Sequence, residues 1–229
     1  MTAMVIAIDG PAGAGKSTVS RRLAEALGYR YIDSGAMYRV IGVLAAEGGI
    51  DLDDSARLAT LCDGTHIEFS ERDGGVRTYV GGRDISAAIR APAAAQLASK
   101  VSMVPAVRER LVAQQRAMGA AGGVVMEGRD IGTVVFPDAA VKVFLDASAA
   151  ERARRRALDA HGTATAADIA EMEREIAERD ARDRTRAHSP LRPADDAVVV
   201  DTTGKSIEEV VASLRALIAM RSAALASGN

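Results

Sequence analysis

The sequence predicts an α/β protein built around a parallel sheet. Short apolar runs of strand length alternate with segments of helical periodicity along most of the chain. The first run, residues 4–8, stops at a glycine-rich turn reading GPAGAGKS, and a helical pattern follows at once from about Lys16 to Leu27. Only residues 65–85 break this rhythm, with β-rich alternation between glycine pairs.

Taken in order, buried strands are expected at 4–8, 31–32, 123–127, 140–145 and 197–200, five in all. A helix is expected over about 35–47. Ser148 with Glu151, and Ser206 with Glu209, have the spacing of capping boxes and mark two further helix starts. Parallel strands joined by helices require right-handed crossovers. His66 to Ser70 and Thr78 to Val80, with Gly74-Gly75 and Gly81-Gly82 beside them, predict a small antiparallel hairpin inserted in this framework. The tail from Met220 is expected to fray.

Bulk composition excludes several classes. At 229 residues, 48% hydrophobic and 26% charged, the chain suits one globular α/β domain with inserts. Aromatics are 3%, so the core rests on Ala, Val, Ile and Leu. A net charge of −2 gives no general attraction to nucleic acid or membrane. The single Cys62 permits no internal disulfide, and neither a basic-then-apolar leader nor a spanning segment is seen, which predicts a cytoplasmic protein. Lys occurs at only four positions, 16, 100, 142 and 205; all other cations are Arg. Biased coding and a demand for bidentate phosphate donors both account for that. His66, His161 and His188 have no metal-ligand or triad spacing.

GPAGAGKS over 10–17 matches the G-x-x-x-x-G-K-[ST] phosphate loop, a P-loop. Successive backbone N–H groups curl around an anion, glycine tolerates the curl, and the next helix presents its positive end. Lys16 reaches the β- and γ-phosphates and the Ser17 hydroxyl is a ligand for Mg²⁺. Such loops serve ATPases, GTPases, kinases and transporters, so the motif alone sets no activity. No [NT]-K-x-D guanine pattern and no strand-terminal Asp-Glu pair are present.

Four acid–arginine clusters suggest a second phosphate. In DSGAMYR (33–39), Ser34 reads either as a helix cap or as a group facing an acceptor with Arg39 on its phosphate. EGRDIG (127–132) lies at a strand's carboxyl end, where open α/β sheets bind ligands, though Arg129 and Asp130 also read as a turn salt bridge. In ERDARDRTR (178–186), the apolar stripe Ile169, Met172, Ile176 continues at helical spacing into Arg179, Asp183 and Arg186. Its inward face turns charged, and buried charge needs a partner. ERARRR (151–156) reads as a solvated basic helix or as a mobile lid.

GPAGAGKS, DSGAMYR, EGRDIGTVVFPDA, VKVFLDAS-x-x-ER and ERDARDRTR, in that order and spacing over roughly 4–215, resemble the bacterial cytidylate kinases. The resemblance implies a P-loop NTPase three-layer fold with a parallel five-stranded core sheet, an acceptor-binding subdomain containing the hairpin, and a short lid. The implied division is a core of about 1–34, 92–148 and 187–229, an acceptor-side region of about 35–91, and a lid with its following helix at about 149–186, Gly162 being the hinge. The implied activity is ATP-dependent phosphorylation of CMP and dCMP. Gly10, Pro11, Ala12, Gly13, Ala14, Gly15, Lys16, Ser17 and Thr18 would hold the donor phosphates, with Ser17 on Mg²⁺. Ser34 and Arg39 would bind the acceptor nucleotide, and Ser99, Arg108 and Asp130 its cytosine. Arg179 and Asp183 would hold the ribose. Lys16, Arg129 and Arg186 would carry the catalytic charge. Ser99 and Arg108 are placed by the stretches 98–101 and 105–108.

Cytosine chemistry agrees with these positions. Asp130 can accept from the exocyclic amine, and Ser99 and Arg108 can donate to the ring acceptors; uracil puts a carbonyl where the amine would be. UMP is therefore expected to be a poor substrate. A different acceptor, such as UMP, AMP or shikimate, and an ATP-binding regulator without acceptor are the rival readings. The expected protein is a monomer that binds neither nucleic acid nor membrane.

Overall fold

The computed structural model describes residues 3–72 and 75–227. It divides into two compact units. One comprises the chain up to Ile32 together with the chain from Gly119 onward, and the other is Asp33–Met118.

The first unit holds a parallel sheet of five strands, β1 (Val5–Asp9), β2 (Arg30–Asp33), β6 (Val124–Gly128), β7 (Val141–Asp146) and β8 (Val198–Asp201), in the order β2-β6-β1-β7-β8. Each expected strand is present, shifted by at most a residue or two. β1 lies at the centre, paired in parallel with β6 (Ile8 opposite Glu127) and β7 (Ile8 opposite Val143). Ile6, Ala7 and Ile8 are wholly buried, as a central strand covered on both faces requires. Helix α1 (Lys16–Leu27) buries Val19 and Leu23, and α9 (Ile207–Ser227) buries Val210, Leu214 and Ile218. Helices α7 (Ala149–His161) and α8 (Ala166–Thr185) form a pair with its own small core of Ala153, Ala157, Met172 and Ile176.

The second unit is mostly helical: α2 (Ser34–Glu47), α3 (Ser55–Asp63), α4 (Ser86–Arg90), α5 (Pro92–Val101) and α6 (Pro105–Gly119). Its core gathers Met37, Ile41, Leu58, Ile67, Ile85 and Leu111. The inserted hairpin is here, β3 (Ile67–Arg72) against β4 (Gly75–Val80), with a two-residue third strand β5 (Arg83–Asp84) that was not anticipated. Of the expected turn glycines, Gly74 lies outside the described residues.

Local details correct the sequence reading at three points. The tail does not fray at Met220: α9 continues to Ser227, because RSAALAS is rich in strong helix formers. The cap of α2 is Asp33 rather than Ser34; its carboxylate accepts from Ala36 N at 2.9 Å, while Ser34 is the first helical residue. The capping box at Ser206–Glu209 is complete, but at Ser148–Glu151 only the Ser148 side is made, since the Glu151 carboxylate is taken by Arg154 and Arg155.

Candidate active site

The site of the first unit is assembled at the carboxyl ends of β1 and β6. β1 ends in Asp9, and the chain turns through residues 10–15 into α1. Gly10 (φ 151°) comes so close to β7 that a Cβ would stand 2.0 Å from Leu145 O. Gly15 closes the loop in the left-handed region at φ 84° and opens α1. Both positions have a positive φ that favours glycine, and Gly10 needs it for space as well.

Lys16 is the first residue of α1 and is buried, 6% exposed. Its ammonium donates to Pro11 O at 2.7 Å, folding the side chain back across the loop. Burial pushes its pKa down to about 7; Arg129 and Arg179 act in the same direction, against the pull of Glu127 and Asp9. Ser17 follows and is exposed, so its hydroxyl is available as a hard oxygen donor.

Asp9 was not singled out in the sequence, yet it joins the two strand ends. Its carboxylate oxygens accept from Ile131 N and Gly132 N, each at 2.8 Å. These are the first amides of a π-helical turn, Ile131–Val135, which begins directly after Arg129-Asp130. π-turns concentrate at functional sites. Burial raises the Asp9 carboxyl to about 7 in spite of those two bonds. Glu127, on β6, is buried and accepts from the Tyr31 hydroxyl.

Helix α8 confirms the change of face along its length. Met172 and Ile176 are buried among apolar neighbours, Arg179 is half-buried, and Asp183 and Arg186 are buried. Arg129 Nε donates to Asp183 Oδ2 at 3.1 Å, and Arg186 Nη1 lies 3.6 Å from Asp183 Oδ1. Burial pushes the Asp183 carboxyl up, but Arg129, Arg179 and Arg186 outweigh it and hold its pKa below the ordinary value. Arg186 also caps α8 and reaches Ser189 O, and Ser189 has a positive φ of 55°. The structure thus gathers Lys16, Arg129, Arg179, Asp183 and Arg186 into one electrostatic group, with Asp130 buried at the head of the π-turn.

The basic run at 151–156 is not wholly solvated. Arg152 is buried against Asp180, and Arg155 binds Thr202 through its hydroxyl and carbonyl; Arg154 and Arg156 are exposed. Asp180 was missed, although stepping four residues along α8 from Met172 and Ile176 leads to it.

In the second unit, Arg39 Nη2 contacts Asp33 Oδ2 at 2.6 Å, which fixes it on the first turns of α2. Ser34 is buried beside the cap. Arg108, on α6, is buried with its guanidinium 5.5 Å from the Tyr38 ring centre and donates to Ser102 O, while Ser99 O accepts from the Ser102 hydroxyl. Tyr38 is a neighbour of Arg108 that the sequence did not reveal. Among the described residues no group of three His, Cys, Asp or Glu is placed to hold a metal, and no helix is long and apolar enough to cross a membrane. His66, His161 and His188 are exposed.

Comparison with known proteins bears on the chain as a whole. The family model described as cytidylate kinase matches residues 6–220. A cytidylate kinase of Pelotomaculum thermopropionicum is 51% identical over 207 residues, covering 90% of this chain and 92% of that one. One of Geobacter sulfurreducens is 47% identical over 218 residues, covering 95% and 94%. Among solved structures, a gluconokinase from Sinorhizobium meliloti superposes with a TM-score of 0.51 at 17% identity, covering 100% of this chain and 99% of that one; it shares the fold. The five-stranded sheet, the phosphate loop on its central strand and these matches together make the chain a member of the cytidylate kinase family.

Proposed function

We propose that this chain transfers the terminal phosphoryl group of ATP to CMP and dCMP, giving CDP and dCDP. The observation that carries the reading is the cationic group around the phosphate loop, buried Lys16 and Arg186 with half-buried Arg129 and Arg179, in a member of this family. The nucleophile is the acceptor's own phosphate, an anion near neutral pH, so no general base is required. The barrier lies in bringing two anions into line and stabilising the charge that spreads in the transition state.

The residues divide that work. The loop from Gly10 to Thr18 holds the donor phosphates through its amides and the N-terminus of α1, and Lys16 turns from Pro11 O onto them. Arg129 and Arg186 neutralise the transferring group. Ser34, Arg39, Arg179 and Asp183 position the acceptor, and Ser99, Arg108 and Asp130 read its base. Mg²⁺ fits this donor set as an ion carried mainly by phosphate oxygens and water, with the exposed Ser17 hydroxyl as the protein ligand. Bound there, it would neutralise phosphate charge. The segment 149–165 serves as the lid that keeps water out. The working form is a cytoplasmic monomer.

The test is ADP production from Mg·ATP with CMP, dCMP, UMP, AMP, GMP and shikimate offered separately. Turnover confined to CMP and dCMP supports the reading. Equal turnover of UMP refutes the base-reading roles, and ATP hydrolysis without acceptor dependence refutes the kinase.

A further inference from the structure

An ion pair outside the proposed reaction chemistry grips the phosphate loop. Arg152 of α7 and Asp180 of α8 are 8% and 6% exposed and meet at 2.6 Å. The pair also bonds one residue of the loop and Ala147, the residue just after β7. Arg152 Nη1 donates to Ala12 O at 3.0 Å, and Ala12 N donates to Asp180 Oδ1 at 3.4 Å. Arg152 Nε donates to Ala147 O at 3.1 Å. The Ala12 side chain packs against the α7–α8 core of Ala153, Ala157, Met172 and Ile176. At the next residue, Gly13, the loop passes so near α7 that a Cβ would stand 2.8 Å from Arg152 O.

Ala12 is therefore held by its carbonyl, its amide and its methyl, all by α7 and α8. A buried ion pair is a poor device for stability alone, because desolvating two charges offsets their attraction and apolar residues of similar size commonly do as well. What an apolar pair cannot do is fix the direction of a backbone N–H and C=O. In a P-loop that direction matters, since the curl of successive amides is the phosphate site.

We propose that Arg152 and Asp180 are positioning residues for ATP: they set the curl of the phosphate loop by clamping Ala12 from α7 and α8. Because Asp180 stands next to Arg179 and one turn before Asp183, the clamp also fixes the loop to the helix that bears the acceptor-side charges. This rests on the kinase reading only for what is turned over, since ATP binding is measured directly.

The experiment compares wild type with Arg152→Met, Asp180→Leu and the double variant, following Tm, the Kd for ATP by calorimetry, and KM for CMP. Each single change leaves a buried charge and lowers Tm. The double variant is expected to recover most of that loss while its Kd for ATP stays about tenfold or more above wild type and KM for CMP moves less than about threefold. Recovery of ATP affinity together with Tm overturns the proposal, and so does an equal rise for ATP and CMP, which would mean general loosening. If the double variant does not fold, Arg152→Lys decides. It keeps the charge but cannot reach Ala12, Ala147 and Asp180 together, so ATP affinity is expected to fall about fivefold at nearly unchanged Tm; wild-type affinity overturns the proposal. Wild-type protein that binds ATP but shows no CMP-dependent turnover would fail the kinase reading and leave the clamp to be judged on ATP affinity.

Discussion

Arg129 and Asp183, 54 residues apart in sequence, form one ion pair at 3.1 Å, with Asp183 buried and Arg129 mostly so. The end of β6 and the charged face of α8 are thereby a single object. Removing the acid strands Arg129 and should cost about 3 kcal/mol. The pH dependence identifies the cause. The folded-state pKa of Asp183 is depressed, so its contribution is complete above the ordinary carboxylate value and is lost as pH falls through the lowered one. The Tm gap between wild type and Asp183→Asn should therefore be widest near neutrality and close in strong acid. A gap that stays constant with pH would show that packing, not charge, holds the pair.

Gly10→Ala tests the loop's approach to the sheet. The added methyl would meet Leu145 O at 2.0 Å at a backbone φ of 151°, and neither strand end can retreat without breaking ladder bonds. The expected variant folds poorly or binds ATP at least about 100-fold more weakly. Titration of ATP into the purified variant checks this, and wild-type affinity would mean that the loop adapts.

The fold was legible because its strands are buried on both faces, so continuous apolar runs such as 140–145 announce them. The stripe on α8 was legible for a similar reason: Met172 and Ile176 fix the inward face, and Asp183 and Arg186 fall on it. Asp9 was not legible, since one acid after an apolar run reads as the strand's exposed end; only the Ile131 and Gly132 amides, more than 120 residues away, explain its burial. The pairing of Arg152 with Asp180 was hidden likewise, because both belong to charged runs of the kind solvated helices display. Long-range pairs of polar groups leave no periodic trace in a sequence.

Gly42→Ala probes the second unit without touching a charged group. Helices α2 and α5 pack so closely that a Cβ on Gly42 would lie 2.7 Å from Leu97 Cβ. Alanine gains about 1 kcal/mol of helix propensity but must force the helices apart at a cost of about 1–3 kcal/mol. Tm should fall by a few degrees. Ser99 lies two residues beyond Leu97 on α5, so KM for CMP should rise while the Kd for ATP holds. A rise confined to ATP would contradict the assignment of α5 to the acceptor.

Lys16 sets function against stability. Its folded-state pKa is about 7 against an ordinary 10.5, so between these values the folded protein binds fewer protons than the unfolded chain. Stability therefore rises with pH across that window, and below it the buried ammonium exerts its full penalty. Asp9 acts on the other side: raised from 3.8 to about 7, it holds more protons folded than unfolded, so its contribution falls as pH rises through that range. Lys16→Met should then be more stable than wild type at pH 6–7, with the advantage shrinking toward pH 10. The same variant should lose at least about 100-fold in kcat and still bind CMP. Thermal melts from pH 6 to 10, run beside turnover assays, make the comparison. A variant less stable than wild type at pH 6.5 would show that the Lys16 bond to Pro11 O outweighs burial of its charge, and undiminished turnover would remove Lys16 from the chemistry.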